Sequence, residues 1–217
     1  WITKRHRKYP IFNNAYMMTG THHLYNYLPT KHEKWLTMIK QEIIDSGLII
    51  DILNAKTMEA VFRLLQGCSF LGSFLAYQYT IDMNYSPYIN FSENDFVKAG
   101  IGAIRGIKKC FLCYGNKCED AIWYVKEHFN DLLKRYGYTS FHPLPGHEPT
   151  LIDLQNCFCE TDKYLRAKMP ELRIGNVRIK QKYMPHTDPI QFFFPPKWNI
   201  VEMYKYKPIV VPTLFDL

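Results

Sequence analysis

Apolar residues recur at helical spacing along most of this chain. In "TKHEKWLTMIKQEIIDSG", Trp35, Met38, Ile39 and Ile43 fall on one face, Thr30 caps the start with Glu33 three residues on, and Gly47 ends the run. "TMEAVFRLLQG" repeats the pattern from Thr57 through Val61, Leu64 and Leu65 to Gly67. After the break "CSFLG", the period resumes with Phe74, Leu75, Gln78 and Ile81, so residues 57–81 read as helix, tight turn, helix. "SENDFVKAG" opens with another cap pair, Ser92 and Asp95. "EDAIWYVKEHFNDLLKRYG" is the clearest amphipathic helix, with Ile122, Val125, Phe129, Leu132, Leu133 and Tyr136 on its core face and Gly137 as terminator. A Pro/Gly loop then leads to "TLIDLQNCFCETDKYLRAKM", capped by Thr150 and Asp153.

The two ends read differently. "WITKRHRKYPIFNN" is an extended basic arm, after which Asn13 or Asn14 caps a short helix through Tyr27. Beyond Pro170, "LRIGNVRIKQKY" alternates around Gly-Asn, a hairpin signal, and the proline-rich remainder packs as a tail across the helical body. The expected architecture is all-α: an arm over 1–8, a helical domain over 9–168, and an extended tail with a hairpin over 169–217.

Composition narrows the function. With 217 residues, 47% hydrophobic and 22% charged, the chain can bury one sizeable core and folds. Its net charge of +7 favours an anionic partner, most simply a nucleic acid, although a basic protein with evenly spread charge has the same total. Lys4, Arg5, Arg7 and Lys8, and later Arg173, Arg178, Lys180 and Lys182, suit a phosphate backbone. No window approaches the roughly 20 apolar residues of a bilayer span, and the start lacks the apolar region of a signal peptide. These features point to an intracellular, DNA-associated protein without a membrane. The chain begins at Trp1 rather than Met, which leaves open a preceding domain.

Six cysteines are too sparse for a disulfide scaffold and suggest a reducing compartment. Cys110, Cys113 and Cys118 form a Cys-x2-Cys-x4-Cys cluster, which with Cys157 or Cys159 would complete a thiolate site. The triplet lacks two clean ligand pairs, so half-buried cysteines and no metal are the expectation.

Two glycine groups carry the candidate chemistry. Gly67 and Gly72 bracket the turn between two helices, where small residues let backbone N–H groups approach a phosphate; a helix-ending glycine before a new helix is the plainer alternative. In "AGIGAIRGIKK", Gly100, Gly102 and Gly106 stand beside Arg105, Lys108 and Lys109, joining close backbone approach to positive charge. Asp82 ends the apolar run after the turn, either as the polar end of a core helix or as a carboxylate aimed into a cleft. Gln78, one turn earlier, shares its face and suits a base edge. Glu160 and Lys163 pair a base with a phosphate contact, or else form a surface ion pair.

"FLGSFLAYQYTIDMNYS", "NDFVKAGIGAIRGIKK" and "LIDLQNCFCETDKYLR", in that order, resemble the signature blocks of a helical family related to helix-hairpin-helix DNA glycosylases. That family includes the helical domain of 5-hydroxymethyluracil DNA kinases and the alpha-glutamyl/putrescinyl thymine pyrophosphorylases. "YPIFNNAYMMTG" is similar to its opening block, so the likeness spans residues 9 to 168. The resemblance implies a glycosylase-like helical fold that binds DNA and acts on a thymine derivative extruded from the stack. The position of the glycosylase aspartate falls at Asp95, as a functional carboxylate or as a helix cap. Ser73 and Phe74 stand where a glycosylase proper would carry a nucleophilic lysine.

No G-x-x-x-x-G-K-[ST] loop occurs to cradle ATP. The resemblance therefore implies amine transfer onto an activated, pyrophosphorylated 5-hydroxymethyluracil. Asp95, Asp82 or Glu160 would act as base, Arg105 and Lys163 would meet the leaving pyrophosphate, and no cofactor beyond an amine co-substrate would be needed. The alternatives are a DNA-binding subunit without catalysis, and the helical half of a 5-hydroxymethyluracil DNA kinase whose kinase domain is a separate partner.

Overall fold

The computed structural model describes residues 2, 11–12, 18–144, 146–172, 194–198 and 200. Among them the architecture is all-α, with eight α-helices and a single isolated bridge between Leu144 and His147. The basic cluster Lys4–Lys8 and the expected hairpin residues Arg173–Lys182 lie outside the described residues.

Local signals set the first half. Helix α1 (Lys31–Met38) starts at a complete capping box, Thr30 with Glu33, and continues as a π-helical segment over Ile39–Asp45. Gly47, at φ 83, reverses the chain into α2 (Leu48–Asn54), a helix the apolar spacing did not announce. Helices α3 (Met58–Gln66) and α4 (Ser73–Asn84) form the expected pair around the 67–72 turn, and Thr57 caps α3 through the Ala60 amide. Before α1, residues 18–22 are irregular and only a 3₁₀ turn, His23–Tyr25, forms; Asn13 and Asn14 lie outside the described residues.

The second half departs from the expected pattern twice. Ser92 and Asp95 do not start a helix: the Asp95 amide bonds the Ser92 carbonyl in a turn, and residues 96–100 run without regular structure to α5 (Ile101–Cys110). Long-range acceptors hold this stretch, because Glu119 takes the Ala99 amide at 3.1 Å and Gln155 takes the Gly100 amide at 3.1 Å. The expected long amphipathic helix is two, α6 (Glu119–Glu127) and α7 (Phe129–Arg135), broken at His128 (φ −107, ψ 18). Ile122 is fully buried, whereas Tyr136 is exposed rather than core-facing. Gly137, at φ 78, ends the run as expected. Helix α8 (Leu151–Lys168) starts at the Thr150–Asp153 capping box.

One apolar core joins the halves. Trp35, Met38, Ile52, Val61 and Leu65 pack with Tyr77 and Ile81 of α4, and with Ile107, Ile122, Leu151 and Phe158 from the second half. Its tightest seam is α5 against α8. A Cβ at Gly106 would overlap the Phe158 carbonyl oxygen and lie 2.8 Å from its carbon, and one at Gly102 would overlap Cys159 Sγ. These glycines let two helix backbones approach closely.

Candidate functional site

The 67–72 turn is exposed at Gly67 and Gly72, yet most of its amides are engaged within the protein. Those of Gly67, Cys68, Leu71 and Gly72 bond carbonyls of the turn and of α3, and that of Ser69 donates to Glu42 Oε2 at 2.7 Å. Glu42 reaches the turn from the π-helical segment and also accepts from the Tyr25 hydroxyl at 2.6 Å. Burial pushes its carboxyl up, but hydrogen bonds from Ser69 and Tyr25 outweigh that and hold it below the usual value. The same cage, by burial first and the Glu42 charge second, pushes the Cys68 thiol up to about 11. Phe70 sits at φ 65, an uncommon conformation for a bulky residue, with its ring buried against Trp35 at 5.1 Å, His22 at 5.2 Å and Tyr25 at 5.5 Å. The turn is thus a braced element with its glycines outward.

The second glycine group faces inward. Gly102 and Gly106 meet α8, and a Cβ at Gly100 would crowd Phe74 and the Gln155 side-chain oxygen. Lys109, expected at a phosphate, is turned into the protein: its Nζ lies 2.7 Å from Asp162 Oδ1, and Arg166 Nε lies 3.1 Å from Asp162 Oδ2. The Lys109 and Asp162 side chains are each only 2% exposed, so the cation is spent on the α5–α8 seam. Lys108 is exposed and Arg105 half-buried, and neither enters an ion pair among the described residues.

The three candidate carboxylates occupy different places, and no hydrogen bond or ion pair joins any two of them. Among the described residues Asp82 is the one charged residue at an apolar cavity of about 190 Å³ whose walls include Met38, Ile43, Leu65 and Met83. Burial raises its carboxyl above the ordinary value. Gln78 lies half-buried one turn earlier on α4. Asp95 is exposed in the Ser92–Asp95 turn and caps no helix. Glu160 is exposed and bonds Lys163 at 2.5 Å, the geometry of a surface i,i+3 pair. Cys110 and Cys113 are exposed and Cys118 half-buried; among the described residues no three His, Cys, Asp or Glu side chains gather as a metal site.

A denser polar cluster, invisible to sequence reasoning, forms around Glu93, two residues before Asp95 in the chain. Asn84 pins the loop after α4 by bonding both the amide and the carbonyl of Phe91, which sets Tyr85 and Glu93 beside each other. Gly146, at φ 74, turns the chain so that the His147 amide bonds the Leu144 carbonyl. His147 Nε2 then stands 3.4 Å from Asp153 Oδ2, whose oxygen already accepts from the Thr150 amide and hydroxyl. Burial first, then the Glu93 and Asp153 charges, push the Tyr85 phenol well above its usual value. The segment Phe194–Trp198 covers this cluster. Trp198 stacks on His147 at 3.6 Å between ring centroids and donates from Nε1 to Glu93 Oε2 at 2.8 Å, while Lys197 donates to the Asn84 and Phe91 carbonyls. Burial lowers the Lys197 ammonium against the opposing pull of Glu93.

An all-α body with a braced helix–turn–helix, a glycine-lined helix seam and a polar cluster under a covering segment defines the class: a helical domain with a recessed aromatic and acidic site. A family model described as "5-hmdU DNA kinase, helical domain" matches residues 2–174, and the chain belongs to that family, the one its sequence blocks resemble. The family's description ties it to a hydroxymethylated thymine analogue in DNA. No curated protein and no solved structure matches the chain. Among the described residues no helix is long and apolar enough to cross a membrane.

Proposed function

We propose that this chain is the DNA-engaging helical half of a 5-hydroxymethyluracil DNA kinase, with phosphoryl transfer supplied by a separate kinase domain or subunit. The observation that carries this reading is the family match over residues 2–174 in a chain without a phosphate-binding loop. The net charge of +7, with Arg105 and Lys108 outside any ion pair among the described residues, supplies attraction for the phosphate backbone, and the outward bend at Gly67 and Gly72 leaves the start of α4 open to it. Fluorescence anisotropy with a duplex carrying one 5-hydroxymethyldeoxyuridine tests the reading. The logarithm of the affinity falls linearly with the logarithm of salt concentration, and the affinity exceeds that for the thymine duplex. Salt-insensitive or absent binding contradicts it.

A second reading, amine transfer onto pyrophosphorylated 5-hydroxymethyluracil, is favoured by one observation: burial raises the Asp82 carboxyl above its ordinary value, as suits a general base. In this reading the activated base is consumed only when an amine is supplied, and Asp82→Asn abolishes the reaction; consumption without amine contradicts it.

A further inference from the structure

The geometry points to the space between His147, Tyr85 and Glu93 as a nucleobase slot, filled in this structure by the chain's own Trp198. We infer that a flipped 5-hydroxymethyluracil and the Phe194–Trp198 segment compete for it. The inference rests on the DNA-engaging reading above and deepens it by naming the base subsite.

The slot has the three properties that bind a planar heterocycle. His147 presents a flat face at stacking distance, 3.6 Å between centroids and 21° between planes. Tyr85 closes the edge with a perpendicular ring at 5.7 Å, interplanar angle 85°. Glu93 supplies an acceptor in the ring plane, since it takes the indole N–H at 2.8 Å. A pyrimidine N3–H offers the same donor. The two fused rings of indole cover an area close to that of a uracil with a hydroxymethyl group at C5, so the occupant seen is a fair template for the occupant proposed.

A second observation shows that Trp198 does not saturate the site. Among the described residues Glu93 Oε1 is buried without a close hydrogen bond of its own, while the Tyr85 hydroxyl interacts with the same carboxylate. A base carrying a further O–H or N–H donor would satisfy it, whereas indole has a single donor. His147 Nε2 also lies near Asp153 without the alignment of a hydrogen bond, so its ring is positioned mainly by packing. The polar contacts of the cover, two carbonyls bonded by Lys197 and one carboxylate by Trp198, are ones that a competing ligand can replace. Base-flipping proteins read an extruded base by stacking and by hydrogen bonds to its Watson–Crick edge, the two contacts this slot offers.

The test compares Trp198→Ala, Trp198→Phe and Glu93→Ala with the unaltered chain. Anisotropy measures binding to a duplex with one 5-hydroxymethyldeoxyuridine and to the same duplex with thymine. Removing a self-occupant that fills the slot about nine-tenths of the time raises apparent affinity about tenfold. Trp198→Ala therefore tightens binding to the modified duplex about tenfold and to the thymine duplex by less, because thymine shares the N3–H but lacks the hydroxymethyl donor. Trp198→Phe, which keeps the ring but not the N–H, gives a smaller gain. Glu93→Ala removes the preference for the modified base while thymine-duplex binding persists. DNA binding with a preference insensitive to Trp198 and Glu93 overturns the slot alone. Absence of DNA binding in all forms overturns the DNA-engaging reading and the slot with it.

Discussion

The two glycine groups of this protein look alike in sequence and do opposite things in the fold. Around 67–72 the glycines face outward, a Cβ at Gly72 would meet nothing within 4 Å, and the turn is braced from outside itself by Glu42 and the aromatic cage of Phe70. Around 100–106 the glycines face α8, and a Cβ at Gly106 would overlap the Phe158 backbone. The difference teaches that glycine spacing records where a side chain is forbidden or unneeded, without saying whether a ligand or another helix takes the room. Charge beside glycine is equally ambiguous, since Lys109 serves the α5–α8 seam from within.

Substitutions break this comparison in a ranked way. Asp162→Ala strands Lys109 at the seam and takes one partner from Arg166, and loss of one partner from a buried ion pair costs about 3–5 kcal/mol. Chemical denaturation reads this as a large drop in midpoint. Gly106→Ala forces α5 and α8 apart, and overpacking of this kind costs about 1–3 kcal/mol or more because a backbone carbonyl, not a side-chain end, must yield. Thermal unfolding measures it, with Gly106→Ala less stable than the unaltered chain.

The braced turn responds to pH instead. The folded-state value of Glu42 lies below its ordinary 4.5, so its contribution is fully present above that value and is lost as pH falls through the folded value. Melting temperatures from pH 7 downward therefore decline through the acid window, and Glu42→Gln removes part of that decline. Smallest of all is Gly72→Ser, which places a better cap in open space and shifts stability by a few tenths of a kcal/mol, as melting curves will show. A fall in DNA affinity at unchanged stability in this variant marks the outward bend as a phosphate contact.

Most of the helical framework was legible, because its signals are local. The Thr30–Glu33 and Thr150–Asp153 boxes, and the stops at Gly47 and Gly137, need only neighbours within a turn. The unread parts depend on distant residues. In the irregular stretch 96–100, Glu119 and Gln155 take the Ala99 and Gly100 amides. The slot needs Tyr85, Glu93, His147 and Trp198, brought together by a pinned loop, a glycine turn and a folded-back segment, and no spacing along the chain announces it. The seam triad did leave a trace. Asp162 and Arg166 continue the stripe of Leu151, Leu154, Gln155 and Phe158 on α8, and a charge pair on a buried stripe signals a partner on the facing helix.

Hydrogen–deuterium exchange, with and without a duplex containing 5-hydroxymethyldeoxyuridine, tests most directly where DNA meets this chain. Protection gained over residues 67–75, 85–95 and 144–150, and exchange accelerated over 194–198, are the expected results. Protection confined to α6 and α7, or no DNA-dependent change at all, would contradict the assignment.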